Sequence, residues 1–203
     1  MTQRLRERLV VLEQTLADVG APLLEHLRPG VSADSLTAAL GSRGIEPHPD
    51  ILTWFGWHDG TDLPRAVDPA GMLLPDDGNR LIGPLHVLGL DEALAEHDGA
   101  VTTDRDHNPD PATPMFYWPG WFPVLRFTDS WLVCVDTLGV VGAVGTLFIF
   151  DVWRANDPPR VYFPSLVALV DAVIDTYRTG QVSPTQLVID PAVLPASAQA
   201  LNY

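Results

Sequence analysis

The chain has 203 residues and a formal net charge of −14, with 26 acidic side chains against 12 arginines and no lysine. This charge repels nucleic-acid phosphates and anionic membranes, which disfavours both as partners. The absence of lysine also excludes a phosphate-loop lysine and a lysine Schiff base.

The first sixty residues have the three- and four-residue spacing of apolar side chains that predicts amphipathic helices. The stripe of the first helix, which ends near Gly20, consists of Leu5, Leu9, Leu12, Leu16 and Val19. A second helix begins at the N-cap Ser32 and ends before Gly44. A third helix covers residues 51–58, and Pro49 suits its first turn.

The middle of the chain alternates short regular elements with proline-rich segments. Residues 61–79 contain repeated proline and glycine, which predicts a loop. Residues 85–88 indicate a strand that leads into a short helix at 91–97. Residues 99–119 carry four prolines and many polar side chains, so we expect this long excursion to lie outside the core.

The strongest strand signals follow this excursion. Residues 123–127 and 131–135 predict a hairpin with a three-residue loop, and residues 145–152 and 160–163 predict two further strands. Ser165 then caps a closing helix that ends at Gly180. Helices, a meander of strands and a final helix together predict an α+β fold, with an antiparallel sheet of about four to six strands packed against helices.

Localisation is predicted from cysteine content and apolar runs. The single Cys134 allows no internal disulfide, which fits a reducing cytoplasm. The apolar run at residues 9–12 is too short for a signal peptide. The longest uncharged stretch, residues 137–150, is shorter than the roughly 20 residues that span a bilayer. We therefore expect a soluble cytoplasmic protein.

Three stretches resemble the SUKH superfamily, and within it the Smi/Knr family of cell-wall-regulator homologues. They are PDILTWFGWHDG at 49–60, the hairpin strands WFPVLRF and WLVCVD within 121–136, and FPSL at 163–166. The resemblance implies a single SUKH-like domain at 31–182, between an N-terminal helical extension (1–30) and an irregular C-terminal tail (183–203). The long excursion and a glycine-rich stretch at 139–145, in place of a polar linker, depart from the family pattern.

The resemblance implies protein binding without catalysis and without a cofactor. The family has no established chemistry, and its bacterial members commonly resemble immunity proteins that block a cognate toxin, while others resemble regulatory adaptors. A stand-alone adaptor without a toxin is therefore the alternative to an immunity protein. The sequence leaves the oligomeric state open.

The partner-binding residues are predicted from charge and aromatic content. An acidic, tryptophan-flanked edge suits a cationic protein partner, because aromatic side chains and charge pairs dominate interface energetics. We expect the carboxylates to steer the partner, the tryptophans to supply buried contact, and the His-Asp pair to add to the same edge. The predicted residues are Asp104, Asp106, Asp110, Trp118, Trp121, His58 and Asp59.

A calcium site is the first competing interpretation of this segment. Acidic or amide side chains occupy every second position from Asp104 to Asp110, as in a calcium loop. However, Pro109 replaces the glycine of the sixth position and Met115 replaces the glutamate of the twelfth. A solvated acidic loop without a metal is therefore favoured.

Enzymatic interpretations compete elsewhere in the chain. A metal-dependent hydrolase would use Asp136, Asp151 and a histidine, although a carboxylate at a strand end more commonly bonds the backbone of a turn. Cys134 lies in an apolar strand with no basic neighbour to lower its pKa, which predicts a structural cysteine. The adjacent His58 and Asp59 precede a glycine, which favours a helix end over a catalytic dyad.

Overall fold

The computed structural model describes residues 2–62, 80–82, 85–108, 110, 113–126, 131–151 and 159–179. Its helices and strands are, in chain order, α1 (Thr2–Asp18), α2 (Leu23–His26), β1 (Leu27–Pro29), α3 (Ala33–Gly41), α4 (Pro49–Trp57), β2 (His58–Thr61), β3 (Arg80–Ile82), β4 (Leu85–Val87), α5 (Leu90–His107), β5 (Trp121–Arg126), β6 (Trp131–Asp136), β7 (Leu147–Asp151), β8 (Arg160–Phe163) and α6 (Leu166–Arg178). The predicted hairpin loop at 128–130, most of the predicted loop at 61–79 and the C-terminal tail lie outside the described residues.

Within this part of the chain, the strands form a six-stranded antiparallel sheet and a separate two-stranded ribbon. The sheet has the sequential order β3-β4-β5-β6-β7-β8, and β1 pairs with β2. At its centre, Trp121 is paired with Asp136, and Val135 is paired with Leu147. The predicted α+β fold with an antiparallel sheet is therefore confirmed.

The central strands are covered on both faces. Nearly every residue of β5 and β6 is buried. Phe122 of β5 and Phe150 of β7 lie on opposite faces of the sheet, because side chains alternate between the two faces along each strand. Phe55 of α4 packs edge-on against Phe122 with ring centroids 5.8 Å apart, whereas Tyr117 packs against Phe150 at 4.9 Å. Helix α4 and the segment containing Tyr117 therefore cover different sides of the sheet.

The first helix belongs to the same hydrophobic core as the last. Its four buried leucines are those of the predicted stripe. Helix α1 packs against α6 and α4, and Arg8 of α1 forms an ion pair with Asp171 of α6. Among the described helices, none is long and apolar enough to cross a membrane.

Two predicted helix starts are confirmed by their capping hydrogen bonds. Ser32 accepts a hydrogen bond from the backbone N–H of Ser35, and Ser165 accepts one from Ala168, both at 3.2 Å. Each bond satisfies a donor that the first turn of a helix leaves without an intrahelical partner. Local sequence is enough to predict these two boundaries because the partner lies three residues away.

Helix α5 corrects the prediction for residues 91–119. It continues through His107, ten residues beyond the predicted end, and it carries part of the segment expected to lie outside the core. Gly99 within it costs about 1 kcal/mol relative to alanine. Burial of one helix face outweighs that cost; the buried residues are Leu90, Ala93, Leu94, His97, Ala100 and Asp104.

A buried carboxylate on α4 has no hydrogen-bond partner among the described residues. Asp50 is 1% exposed, and neither carboxylate oxygen is bonded in the described part of the chain. Trp54 lies four residues after Asp50 and Trp57 three residues after Trp54, so all three share one face of α4. The indole N–H groups of both tryptophans are also unpaired among the described residues. Burying an ion away from water costs several kcal/mol. The favourable interaction of a carboxylate with the dipole at a helix N-terminus contributes at most roughly 2 kcal/mol, which does not offset that cost.

We therefore expect Asp50→Asn to raise the free energy of unfolding by about 1–2 kcal/mol at neutral pH, because it removes an uncompensated charge. Urea unfolding measures the change. The matched control is Asp34→Asn, which removes an exposed aspartate from the first turn of α3 and should be neutral or slightly destabilising. A larger loss for Asp50→Asn than for Asp34→Asn would contradict the expectation.

Candidate partner-binding surface

Asp104 anchors the segment that follows α5 from inside the protein. Its Oδ1 accepts hydrogen bonds from the backbone N–H groups of Met115, Phe116 and Tyr117 at 2.9, 2.7 and 3.1 Å, and its Oδ2 accepts one from Asn108. Burial raises the pKa of Asp104, but these hydrogen bonds lower it more, so the pKa lies below its ordinary value of 3.8. With 6% exposure, Asp104 lies inside the protein, so the prediction that it forms part of an exposed partner-binding edge is wrong.

The segment at residues 113–120, called the strap below, is held at further points. The hydroxyl of Tyr117 donates to the carbonyl of Trp121 at 2.5 Å, and Nε2 of His97 donates to the carbonyl of Pro119 at 2.8 Å. Trp121 is 3% exposed, and its ring packs against Phe148. Trp121 is therefore a core residue, and the prediction that it contacts a partner is wrong.

Three of the predicted contact residues remain at the surface around the strap. Trp118 is half-buried against the core, and Met115 is exposed. Asp106 and Asp110 are both exposed beyond the buried Asp104. The predicted edge therefore exists in reduced form, with two aspartates and one tryptophan.

The acidic side chains of α5 differ in what they do for the fold. Glu92 accepts from the backbone N–H of Gly89, Glu96 pairs with Arg126, and Asp98 pairs with Arg43. The hydrogen bond from Arg43 lowers the pKa of Asp98. Asp91 lies in the first turn, where the helix dipole favours a carboxylate. Asp106 makes no hydrogen bond or ion pair with the residues that the structure describes.

Asp136 organises a second surface element from within the protein. It is 0% exposed, and its two oxygens accept hydrogen bonds from four backbone N–H groups of the following turn. The donors are Leu138 at 3.1 Å, Gly139 at 2.9 Å, Val141 at 2.7 Å and Gly142 at 3.4 Å. The prediction that Asp136 bonds a turn backbone is confirmed.

The turn held by Asp136, residues 137–145, is called the apolar loop. It exposes three large aliphatic side chains, Leu138 at 54%, Val140 at 44% and Val144 at 51%. Gly139 and Gly145 turn the backbone with φ of 74° and 90°, which only glycine adopts readily. Our site prediction omitted these residues; their signal in the sequence was the glycine-rich stretch in place of a polar linker.

The apolar loop and the strap meet at Gly120. The backbone N–H and the hydroxyl of Thr137 both donate to the carbonyl of Gly120, at 3.0 and 2.7 Å. A Cβ added at Gly120 would collide with the side chain of Leu138, so glycine permits this close approach. The loop, the strap and the end of α5 are therefore parts of one connected structure.

The His-Asp pair lies elsewhere. Nδ1 of His58 bonds the carbonyl of Arg28, and its Nε2 bonds Glu13 of α1. Asp59 accepts from the backbone N–H of Leu90 at 2.6 Å, at the start of α5. At 1.5 Å per residue this point is roughly 24 Å along the helix from Asp106. The prediction that the pair adds to the same edge is wrong, because it fastens the ribbon β1-β2 to helices.

The carboxylates of the hydrolase alternative are far apart. Asp136 ends β6, whereas Asp151 is paired with Trp131, which begins that strand. Five residues of strand separate the two positions by roughly 17 Å. The residues that the structure describes also contain no group of three histidine, cysteine or carboxylate side chains that could hold a metal ion.

The cysteine and calcium interpretations also meet geometric obstacles. Cys134 is fully buried, and burial raises the pKa of its thiol, so the thiolate needed for nucleophilic attack is disfavoured. Asp104, the first position of the calcium pattern, is part of a helix, and its two oxygens already accept hydrogen bonds from the strap and from Asn108.

The chain matches no known protein-family model, and no curated protein is significantly similar to it. The SUKH resemblance of its three motifs therefore stays a prediction.

Proposed function

We propose that this protein is a non-enzymatic binding module for a cationic protein. Its partner surface is formed by the end of α5, the strap and the apolar loop. The SUKH resemblance suggests that the partner is a toxin domain and that the protein is of the immunity type. A regulatory adaptor would use the same surface on a partner that is not a toxin.

The placement of Asp106 carries the proposal. It lies exposed in the last turn of α5, where the helix dipole disfavours a carboxylate by about 0.3–1 kcal/mol. Asp104, two residues earlier, offsets the same cost by holding the strap, but Asp106 bonds nothing in the described part of the chain. A charge that weakens its own helix is readily explained when a partner uses it.

The overall charge favours the same class of partner. A net charge of −14 attracts basic proteins over distances of about a Debye length, and such steering raises association rates above the roughly 10⁵–10⁶ M⁻¹s⁻¹ of neutral pairs. The buried anchors Asp104 and Asp136 hold the surface in one conformation. A surface ordered before binding loses less entropy when the partner arrives.

The test begins with affinity capture from the native host, and mass spectrometry identifies the partner. With that purified partner, Asp106→Asn combined with Asp110→Asn should lower the association rate about 5- to 10-fold at low salt and flatten its dependence on ionic strength. Stopped-flow kinetics measures both. The control, Asp34→Asn with Asp175→Asn, removes the same charge from exposed positions on α3 and α6.

The decisive comparison is between these two double variants. Equal association rates, or binding that does not depend on salt, would contradict the proposal, as would an acidic partner. If the partner is a toxin, an equimolar amount of this protein should abolish the toxin's activity. A partner whose activity is unaffected would favour the adaptor.

A further inference from the structure

We infer that the apolar loop is the hydrophobic anchor of the interface, and that its three exposed side chains enter an apolar cleft bordered by basic residues on a cationic protein. This inference rests on the proposed function and adds the part of the surface that supplies most of the affinity. The side chains are those of Leu138, Val140 and Val144.

The three aliphatic side chains of the apolar loop are concentrated on one exposed turn. Single exposed aliphatic residues are common on protein surfaces, but three within seven residues of one turn form a concentrated patch. Surface turns are usually built from polar residues. Half of each side chain remains in water, so burial against the core does not explain the choice of leucine and valine here.

The apolar loop is held in place by hydrogen bonds to its backbone. Asp136 holds four backbone N–H groups from beneath, and Thr137 ties the start of the loop to Gly120. The loop is therefore ordered by buried polar groups while its apolar side chains face outward. An apolar patch that is already ordered loses less conformational entropy when a partner binds.

The charge of the protein favours a basic partner over a second copy of the chain at the apolar loop. A second copy of this chain would bring another charge of −14 to the patch, and the repulsion opposes self-association. The loop is also continuous with the strap, beyond which Asp106 and Asp110 are exposed. An apolar patch that is connected through the strap to a segment with exposed carboxylates is complementary to a cleft with basic residues at its rim.

The experiment first maps contacts in the native host with a photo-crosslinking amino acid, p-benzoylphenylalanine. The probe is placed at position 138 or 144 in the loop, and at Val10 or Val161 as equally exposed aliphatic controls on α1 and β8. We expect a basic protein to be crosslinked from the loop positions and not from the controls. Crosslinking from the controls alone, or no crosslinking from any position, would overturn the inference.

The second step measures affinity with the crosslinked protein, purified without the probe. The combined variant Leu138→Ser, Val140→Ser and Val144→Ser should weaken binding at least 100-fold, mainly through faster dissociation, and leave the salt dependence unchanged. Val10→Ser should bind as the wild type does. The midpoint of thermal unfolding should be unchanged in both variants, because every substituted residue is at least 44% exposed.

The outcomes separate this inference from the proposed function. If the partner is basic and salt-sensitive but the loop variant binds normally, the anchor is overturned and the proposed function stands. If the loop variant loses a partner that is not basic, the cationic partner and the proposed function both fail. Loss of a dimer of this chain, seen by analytical ultracentrifugation, would overturn the inference in favour of self-association.

Discussion

Replacing Asp136 by alanine is expected to lower the free energy of unfolding by at least about 3 kcal/mol, because four backbone N–H groups lose one shared buried acceptor. Each such loss leaves a donor that must find water or remain unpaired. Asp136→Asn keeps one carbonyl oxygen and should fall between the alanine variant and the wild type. Urea unfolding with a common slope measures the differences.

The control for this prediction is Asp106→Ala, which removes an exposed aspartate from the last turn of α5 and should leave the free energy of unfolding unchanged or raise it by up to about 1 kcal/mol. Amide hydrogen exchange gives a second measurement, because in Asp136→Asn the amides of Leu138 and Val141 should exchange faster. An alanine variant within about 1 kcal/mol of the wild type would show that the carboxylate does not hold the loop.

Replacing Asp104 by alanine is expected to cost about 2–4 kcal/mol at neutral pH, since three strap amides and Asn108 lose their acceptor. The loss should depend on pH. The folded-state pKa is below 3.8, so the ionised carboxylate stabilises the protein fully above that value, and the contribution disappears as the pH falls through the folded pKa.

The difference in stability between wild type and Asp104→Ala should therefore be constant near neutral pH and shrink below about pH 4. Chemical denaturation at a series of pH values measures it, and Asp106→Ala again serves as the exposed control. A difference that stays constant or grows in acid would contradict an ionised Asp104 anchor. Looser protection of the strap amides in the variant would identify the strap as the part that is released.

Of the two buried anchors at the candidate surface, Asp136 could be predicted from the sequence and Asp104 could not. Asp136 was interpreted correctly, because its donors lie within six residues and the carboxylate-turn pattern is local. Asp104 was assigned to the surface, because its donors lie eleven to thirteen residues away, on a segment whose path the sequence does not reveal. The same acidic stretch therefore contains one buried anchor, Asp104, and two exposed aspartates, Asp106 and Asp110, that look alike in the sequence.

The apolar loop lies outside the predicted site. Hydrophobic side chains usually indicate burial, so residue type alone does not mark Leu138, Val140 and Val144 as exposed. Their exposure follows from the buried carboxylate beneath them, which fixes the backbone so that these side chains point outward. The glycine-rich departure from a polar linker was the one trace of this arrangement that the sequence displayed.

The amino-acid sequence was enough to predict the class of fold, the helix starts at Ser32 and Ser165 and the strands β4 to β8 of the sheet. These follow from spacing, local capping and composition, which act over a few residues or over the whole chain. The packing of the folded chain was needed to show that α5 extends to His107, that Asp104 and Trp121 lie inside, and that the side chains of the apolar loop lie outside. Those outcomes depend on which distant segments pack together, because burial is a property of the assembled core and not of the residue type.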